Sequence, residues 1–96
     1  MKFKIAGREI GNNKDPLIIA EIGINHNGNL DQAIAIADSA IKSGAEILKH
    51  QTHIPDEEMS LEAKKAIPGN SNKSIYSIIK NCSLSETDEE KLMKYI

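Results

Sequence analysis

Hydrophobic positions along the chain follow two different patterns, one typical of strands and one typical of a helix. Residues 17–23 form a nearly continuous apolar run of strand length, and residues 45–51 form a second one. Such runs are typical of parallel strands buried on both faces. Between them, apolar residues recur at steps of three and four, which predicts an amphipathic helix; they are Leu30, Ala33, Ile34, Ala37 and Ile41. Together the three segments predict a βαβ unit with the usual right-handed crossover.

The ends of the predicted helix carry recognisable signals. Asn29 is suited to cap the first turn, and Gln32 follows it at the spacing of a capping box. Gly44 is placed to end the helix in the left-handed conformation. These signals predict short loops on both sides of the helix.

The segments that flank the βαβ unit are shorter and more polar. Residues 1–13 predict a β-hairpin, with strands at 2–6 and 8–10. Residues 52–73 form a long polar connection in which 57–66 is a candidate short helix. Two further helices are predicted, one over 74–81 and one that starts at Ser85.

The fold class predicted by this order is α/β, namely the N-terminal portion of a (β/α)8 TIM barrel preceded by a short β-hairpin. Residues 1–13 would be the hairpin, and residues 14–96 would be the first βα units of the barrel. Two parallel strands with helices on one side cannot close a sheet, and a complete barrel needs about 250 residues. We therefore expect an incomplete domain.

Composition narrows the classes of function. The formal net charge is −2, hydrophobic residues make up 40% and aromatic residues 3%. Without a basic patch, we expect neither nucleic acid nor a membrane surface as a partner. No apolar run approaches the roughly 20 residues that span a bilayer. The single cysteine, Cys82, and the charged N-terminus favour a reducing, cytoplasmic location.

The residues most suited to chemistry lie near the ends of the two predicted strands. Side chains alternate along a strand, so Glu21 would share a face with Ile19, and Lys49 would share a face with Gln51. In parallel α/β folds, ligands bind at the carboxyl ends of the strands. Two interpretations remain open: a structural ion pair between Glu21 and Lys49, or a lysine that binds an anion beside a glutamate that moves protons.

Three histidines invite a metal site, but their positions do not favour one. His50 and His53 are separated by an odd step, which puts them on opposite faces of a strand. His50 is expected to pack beneath a helix. His26 lies in the loop after the first apolar run, where a hydrogen-bonding role and a catalytic role are both open.

Several segments together resemble one enzyme family, the sialic acid synthases. The first is the strand and loop from Leu17 to Gly28, and the others follow in the family's order. They are Lys49-His50-Gln51-Thr52-His53-Ile54, Glu58-Met59-Ser60, Ile67-Pro68-Gly69-Asn70 and Ser74-Ile75-Tyr76. The resemblance extends over nearly the whole chain. The form of residues 50–53 resembles N-acetylneuraminate synthases more than legionaminate or pseudaminate synthases.

The resemblance implies a two-part enzyme. A (β/α)8 barrel would hold the active site, and a small antifreeze-like C-terminal domain, absent from these 96 residues, would cover it across a homodimer. Phosphoenolpyruvate and open-chain N-acetylmannosamine would condense to sialic acid and phosphate. A divalent metal, typically manganese, would polarise the sugar aldehyde.

The same resemblance implies roles for four residues. Glu21 would be catalytic, shuttling a proton or orienting the metal-bound water. Lys49 would bind an anionic group of phosphoenolpyruvate, and Gln51 would contact substrate from the same strand face. Asn70 would hydrogen-bond the sugar from the long loop. The metal-binding histidines of the family match none of the histidines here, so the manganese ligands are expected outside these residues and the chain alone is expected to be inactive.

Two other hypotheses remain. The chain belongs to another barrel enzyme, such as a related aldolase or a legionaminate or pseudaminate synthase, or it is a non-catalytic interaction module that has kept the family's N-terminal sequence. Offering a panel of acylated sugars separates the enzymes from one another. A stable, folded state of the chain on its own would favour the module.

Overall fold

The N-terminal residues form the predicted antiparallel hairpin. The structure, a computed structural model, describes all 96 residues. Strands β1 (Lys2–Ile5) and β2 (Arg8–Gly11) pair from Lys2 opposite Gly11 to Ile5 opposite Arg8. Arg8 contacts Glu46 through Nε at 3.0 Å, and so connects the hairpin to the chain just before the fourth strand. The guanidinium's hydrogen bond to Glu46 raises the pKa of Arg8.

The βαβ unit follows as predicted. Strand β3 (Ile19–Gly23), helix α1 (Leu30–Lys42) and strand β4 (Ile47–His50) form it, and the two strands pair in parallel. Asn29 caps α1 by accepting a hydrogen bond from the backbone N–H of Gln32 at 3.0 Å. Gly44, with φ of +99°, leaves the helix in the left-handed region as expected.

The core lies on one face of the parallel sheet. Its buried residues come from β3, from α1 and from the C-terminal segment; they are Ile22, Ala33, Ala37, Leu84 and Leu92. The buried residues of α1 are both alanines, Ala33 and Ala37, and those of the C-terminal segment are both leucines. The helix α4 (Glu86–Tyr95) packs against α1 and closes this layer.

The opposite face of the parallel sheet carries no helix. Ile19 is 51% exposed there, and the side chains of Glu21 and Lys49 are also mostly exposed. The α/β class and the helices on one side of the sheet are therefore as predicted. A two-stranded sheet does not test closure into a barrel, so the barrel stays a prediction. The division into a hairpin at residues 1–13 and barrel units at residues 14–96 also stays a prediction.

The long connection differs from the prediction. A single helix over 57–66 is wrong: the chain forms α2 (Pro55–Glu58) and a separate 3₁₀ turn (Ala63–Lys65). Pro55 starts α2 because its fixed φ suits the first helical turn. Met59 then becomes extended (φ −121°, ψ 135°), which ends the helix after one turn.

Two capped helices complete the chain. Helix α3 (Ile75–Cys82) starts at Ser74, whose hydroxyl accepts from the N–H of Ser77, and α4 starts at Ser85 in the same way. Both starts agree with the prediction. None of the helices is both long enough and apolar enough to cross a bilayer.

A polar cluster ties the long connection together. Asp56 of α2 accepts hydrogen bonds from the hydroxyl of Tyr76 on α3 at 2.5 Å and from Lys64 at 3.2 Å. These bonds, that of Tyr76 first, lower the pKa of Asp56. The ammonium groups of Lys64 and Lys80 lie 5.1 and 5.5 Å from the centre of the Tyr76 ring. The cluster joins α2, the 3₁₀ turn and α3.

Gly28 is expected to be the glycine least tolerant of a side chain. Its φ is +76°, and an added Cβ would lie 2.8 Å from the carbonyl oxygen of Asn81. We predict that Gly28→Ala lowers the free energy of unfolding by about 3 kcal/mol. Gly44→Ala, with positive φ but nothing within 4 Å, should lose only about 1 kcal/mol. Urea denaturation measures both; equal losses would contradict the role of the close contact.

Candidate active site

Glu21 and Lys49 face each other across the two parallel strands. They are register partners, and the Lys49 Nζ lies 3.2 Å from Glu21 Oε1. Their side chains are 64% and 61% exposed, respectively. An ion pair with that exposure contributes about 1 kcal/mol or less to stability. This exposure argues against a mainly structural role for the ion pair. Both charged groups are accessible to a ligand.

Packing on the helix side determines from which face of the sheet Glu21 and Lys49 project. Ile22, the residue after Glu21, is 2% exposed and belongs to the core. Because side chains alternate along a strand, burial of Ile22 turns Glu21 to the helix-free face. The register then shifts by one residue between Glu21 and Gly23. Such bulges often re-aim side chains beside functional sites.

Gln51 reaches the same edge of the sheet from the end of β4. Its Oε1 lies 3.0 Å from His53 Nε2. Its Nε2 lies 3.8 Å from the point that a Cβ on Gly23 would occupy, so the amide borders the end of β3. Glu21, Lys49 and Gln51 thus surround the carboxyl ends of two neighbouring strands, where the sequence predicted them to lie.

Asn70 is not brought into contact with the other three predicted residues. It is exposed in the turn formed by residues 68–71, within the long connection. It forms no hydrogen bond to Glu21, Lys49 or Gln51. Its contact with a sugar stays a prediction.

The contact between His53 and Glu58 was not predicted from the sequence. His53 Nδ1 lies 2.9 and 3.2 Å from the two carboxylate oxygens of Glu58. This bond and one from the backbone N–H of Ile54 lower the pKa of Glu58. Pro55 was the available signal, since a one-turn helix starting there returns Glu58 toward the residues before it. His53 therefore contacts the Gln51 carboxamide, and Glu58 holds His53 in place.

His26 and His50 lie on the helix side, away from the candidate site. His50 Nε2 lies 3.2 Å from Glu89 of α4, which confirms that His50 packs beneath a helix. His26 is fully buried, and its Nδ1 accepts the N–H of Gly28 at 3.0 Å. The two rings are 5.6 Å apart. The observed role of His26 is therefore to fix the loop that follows β3.

The side chains of these 96 residues form no cluster suited to a metal ion. No three His, Cys, Asp or Glu side chains come together as ligands. Two histidines, His50 and His53, already contact carboxylates, and His26 holds a backbone amide. The manganese that the resemblance implies does not fit the donors of this chain.

Burial of His26 predicts acid sensitivity. Desolvation, followed by repulsion from His50, lowers the pKa of His26. The unfolded chain then binds a proton at higher pH than the folded chain, so stability falls as pH drops below about 6.5. We expect urea denaturation to show this fall, and His26→Gln to show a shallower one between pH 7 and 5. Equal slopes in both proteins would refute this account of His26.

Known proteins similar to the chain act in sugar biosynthesis. The spore coat polysaccharide biosynthesis protein SpsE of Bacillus subtilis is 49% identical over 49 residues, 51% of this chain and 13% of SpsE. The N,N'-diacetyllegionaminic acid synthase of Campylobacter jejuni is 45% identical over 53 residues, 55% of the chain and 16% of that enzyme. The pseudaminic acid synthase of Campylobacter jejuni is 43% identical over 51 residues, 50% of the chain and 15% of that enzyme.

Structural comparison agrees with the sequence. The crystal structure of Bacillus subtilis SpsE superposes with a TM-score of 0.65 at 33% identity, over 99% of this chain and 24% of SpsE. The chain thus spans about a quarter of that relative. The NeuB family profile matches residues 36–96, more than half of the chain. The chain belongs to the NeuB family, that of the sialic acid synthases.

Proposed function

We propose that the chain is the N-terminal part of a cytoplasmic N-acetylneuraminate synthase. The full-length enzyme condenses phosphoenolpyruvate with N-acetylmannosamine to give sialic acid and phosphate, and works as a homodimer. Family membership supports the reaction class. The observation that carries the proposal is the exposed carboxylate and ammonium of Glu21 and Lys49, 3.2 Å apart on the helix-free face.

Each polar group at this edge has a distinct task. Lys49 attracts the phosphate or carboxylate of phosphoenolpyruvate, because an ammonium is a point charge with three donors. Binding of that anion separates Lys49 from Glu21. The carboxylate of Glu21 is then free to accept or return a proton beside the reacting carbons. Gln51 orients substrate, and Asn70 binds the sugar once the long connection lies over the site.

The exposure of an apolar residue on the helix-free face supports the proposal that this face lines the interior of a barrel. Ile19 is 51% exposed beside Glu21, and burying it would stabilise a closed sheet. In a (β/α)8 barrel this face points inward, and the carboxyl ends of β3 and β4 open on the catalytic side. The metal ligands, which the present donors do not supply, then come from other strands.

Phosphate release tests the proposed reaction. Full-length protein is offered phosphoenolpyruvate, a divalent metal and one acylated amino sugar at a time. We expect release that requires both substrates, with N-acetylmannosamine preferred. No release with any sugar would refute the synthase assignment.

A second candidate sugar class follows from the relatives. The proteins reported above include a diacetyllegionaminic acid synthase and a pseudaminic acid synthase. A preference for diacetamido sugars in the same panel would favour that class and would correct the choice of N-acetylmannosamine. A protein that folds and is inert to every sugar would favour the non-catalytic module.

The 96-residue chain by itself is expected to be inactive. Glu21 is the one acidic side chain at this edge, and no three His, Cys, Asp or Glu side chains of the chain come together as a metal site. We predict phosphate release no faster than the uncatalysed background when the purified chain receives both substrates and manganese. Turnover above background would show that the metal site lies within these residues.

A further inference from the structure

The segment that follows β4 is held by side chains and not by the sheet. The register of the two parallel strands ends with Gly23 opposite His50. Beyond that pair, the backbone N–H and C=O groups of residues 51–53 form no hydrogen bond with another backbone group. The direction in which Gln51 projects therefore depends on the side-chain contacts of the residues around it.

One carboxylate contacts the residues on both sides of Gln51. Glu89 Oε1 lies 3.2 Å from His50 Nε2, and Glu89 Oε2 accepts the hydroxyl of Thr52 at 3.1 Å. The other ring nitrogen of His50, Nδ1, is buried and has no hydrogen-bond partner. Glu89 is thus the one group that orients this ring by a polar contact. The side chains of Glu89 and His50 are only 17% and 20% exposed, so water competes little for their contact.

Helix α4 gives Glu89 a fixed position. Leu92 lies three residues after Glu89, on the same side of the helix, and is buried in the core. Tyr95 donates its hydroxyl hydrogen to the carboxylate of Asp38 on α1, 2.8 Å from each oxygen. Because α4 is anchored through both of these residues, Glu89 is a rigid support for the segment after β4.

We propose that Glu89 is a positioning residue of the candidate active site, which acts on Gln51 through His50 and Thr52. The carboxylate holds these two residues on the helix side, and Gln51 between them borders Gly23 at the end of β3. Without the carboxylate, the segment is free to turn, and the carboxamide of Gln51 leaves its place beside Gly23. The inference rests on the proposed function, in which Gln51 contacts substrate.

Steady-state kinetics of the full-length protein test the proposal. Glu89→Ala removes both contacts, and phosphate release is measured while the concentration of each substrate is varied in turn. We expect the KM of the substrate that Gln51 contacts to rise about 10-fold, because a small displacement of a binding group is costly. The kcat should change by about twofold or less, since Glu21, the proposed acid–base group, projects from β3 on the other face of the sheet.

Two control substitutions separate positioning from a general loss of stability. Glu90→Ala removes the neighbouring carboxylate of α4, which is exposed. Ser74→Ala removes the hydroxyl that caps α3, and so destabilises the protein away from β4 and α4. Both variants should keep the wild-type KM, and urea denaturation compares their stability with that of Glu89→Ala. An equal rise in KM in Ser74→Ala would attribute the effect to lost stability and overturn the positioning role.

A double-mutant cycle tests whether the contact itself carries the effect. Thr52→Val keeps the shape of the side chain and removes the hydroxyl bonded to Glu89, so the same KM should rise about threefold. The double variant should be no worse than Glu89→Ala, because both substitutions remove one shared contact. Effects that multiply in the double variant would overturn the proposal. If Glu89→Ala does not fold, Thr52→Val decides alone, and an unchanged KM in that variant would count against Glu89.

Failure of this inference differs from failure of the proposed function. An active wild-type protein whose KM values are unchanged by both Glu89→Ala and Thr52→Val overturns the positioning role alone. A wild-type protein that releases no phosphate with any sugar overturns the proposed function, and this inference with it.

Discussion

Glu21→Gln is expected to lower kcat of the full-length enzyme by about 10²- to 10⁴-fold, the usual contribution of a positioned acid–base group. The amide keeps the size of the side chain but neither accepts nor returns a proton. The pair with Lys49 is more than 60% exposed on both sides, so the stability of the protein should change little. Initial rates of phosphate release measure kcat, and circular dichroism checks the fold.

Glu90→Gln is the matched control for this substitution. Glu90 is an exposed carboxylate on α4, on the helix side of the sheet, and it forms no ion pair. We expect kcat to stay within about twofold of the unsubstituted enzyme, since isolated surface changes have small effects. A Glu21→Gln enzyme as active as Glu90→Gln would remove Glu21 from the mechanism.

Lys49→Met is expected to lower kcat/KM for phosphoenolpyruvate about 30-fold or more, equivalent to about 2 kcal/mol of lost charge pairing. Methionine keeps the apolar stem of the side chain and removes the ammonium. The loss should be larger in kcat/KM for phosphoenolpyruvate than for the amino sugar, because only the former is an anion.

Lys91→Met is the matched control for Lys49→Met. Lys91 is exposed on α4 and forms no ion pair, so both kinetic constants should be preserved. If Lys49→Met affected the two substrates equally, general disturbance of the strand would explain the result better than lost anion binding.

Local signals in the sequence predicted the elements that depend on local physics. Asn29, Ser74 and Ser85 cap helices because their side-chain oxygens reach the first free N–H groups, a contact made within four residues. Glu21 and Lys49 were predicted to share a face because strand parity and parallel pairing suffice to place them. No contact with a distant segment alters these three caps or the side-chain parity of the two strands.

Contacts between distant segments could not be predicted in the same way. The helix expected over 57–66 is broken because Met59 becomes extended, while Asp56 is held by Tyr76, a residue 20 positions away. The bond from His53 to Glu58 likewise depends on how the chain turns at Pro55. Asn70 lies in a turn within a segment that has no periodic pattern, so its distance from Glu21 could not be predicted from the sequence.

Protection of Lys49 by phosphoenolpyruvate tests the central claim most directly, without any substitution. Full-length protein is reductively methylated with formaldehyde, with and without saturating phosphoenolpyruvate, and the rate at each lysine is read by peptide mass spectrometry. The account predicts that Lys49, 61% exposed in the free chain, reacts readily alone and slowly with phosphoenolpyruvate, while Lys91 reacts equally in both. Equal modification of Lys49 with and without the ligand would contradict it.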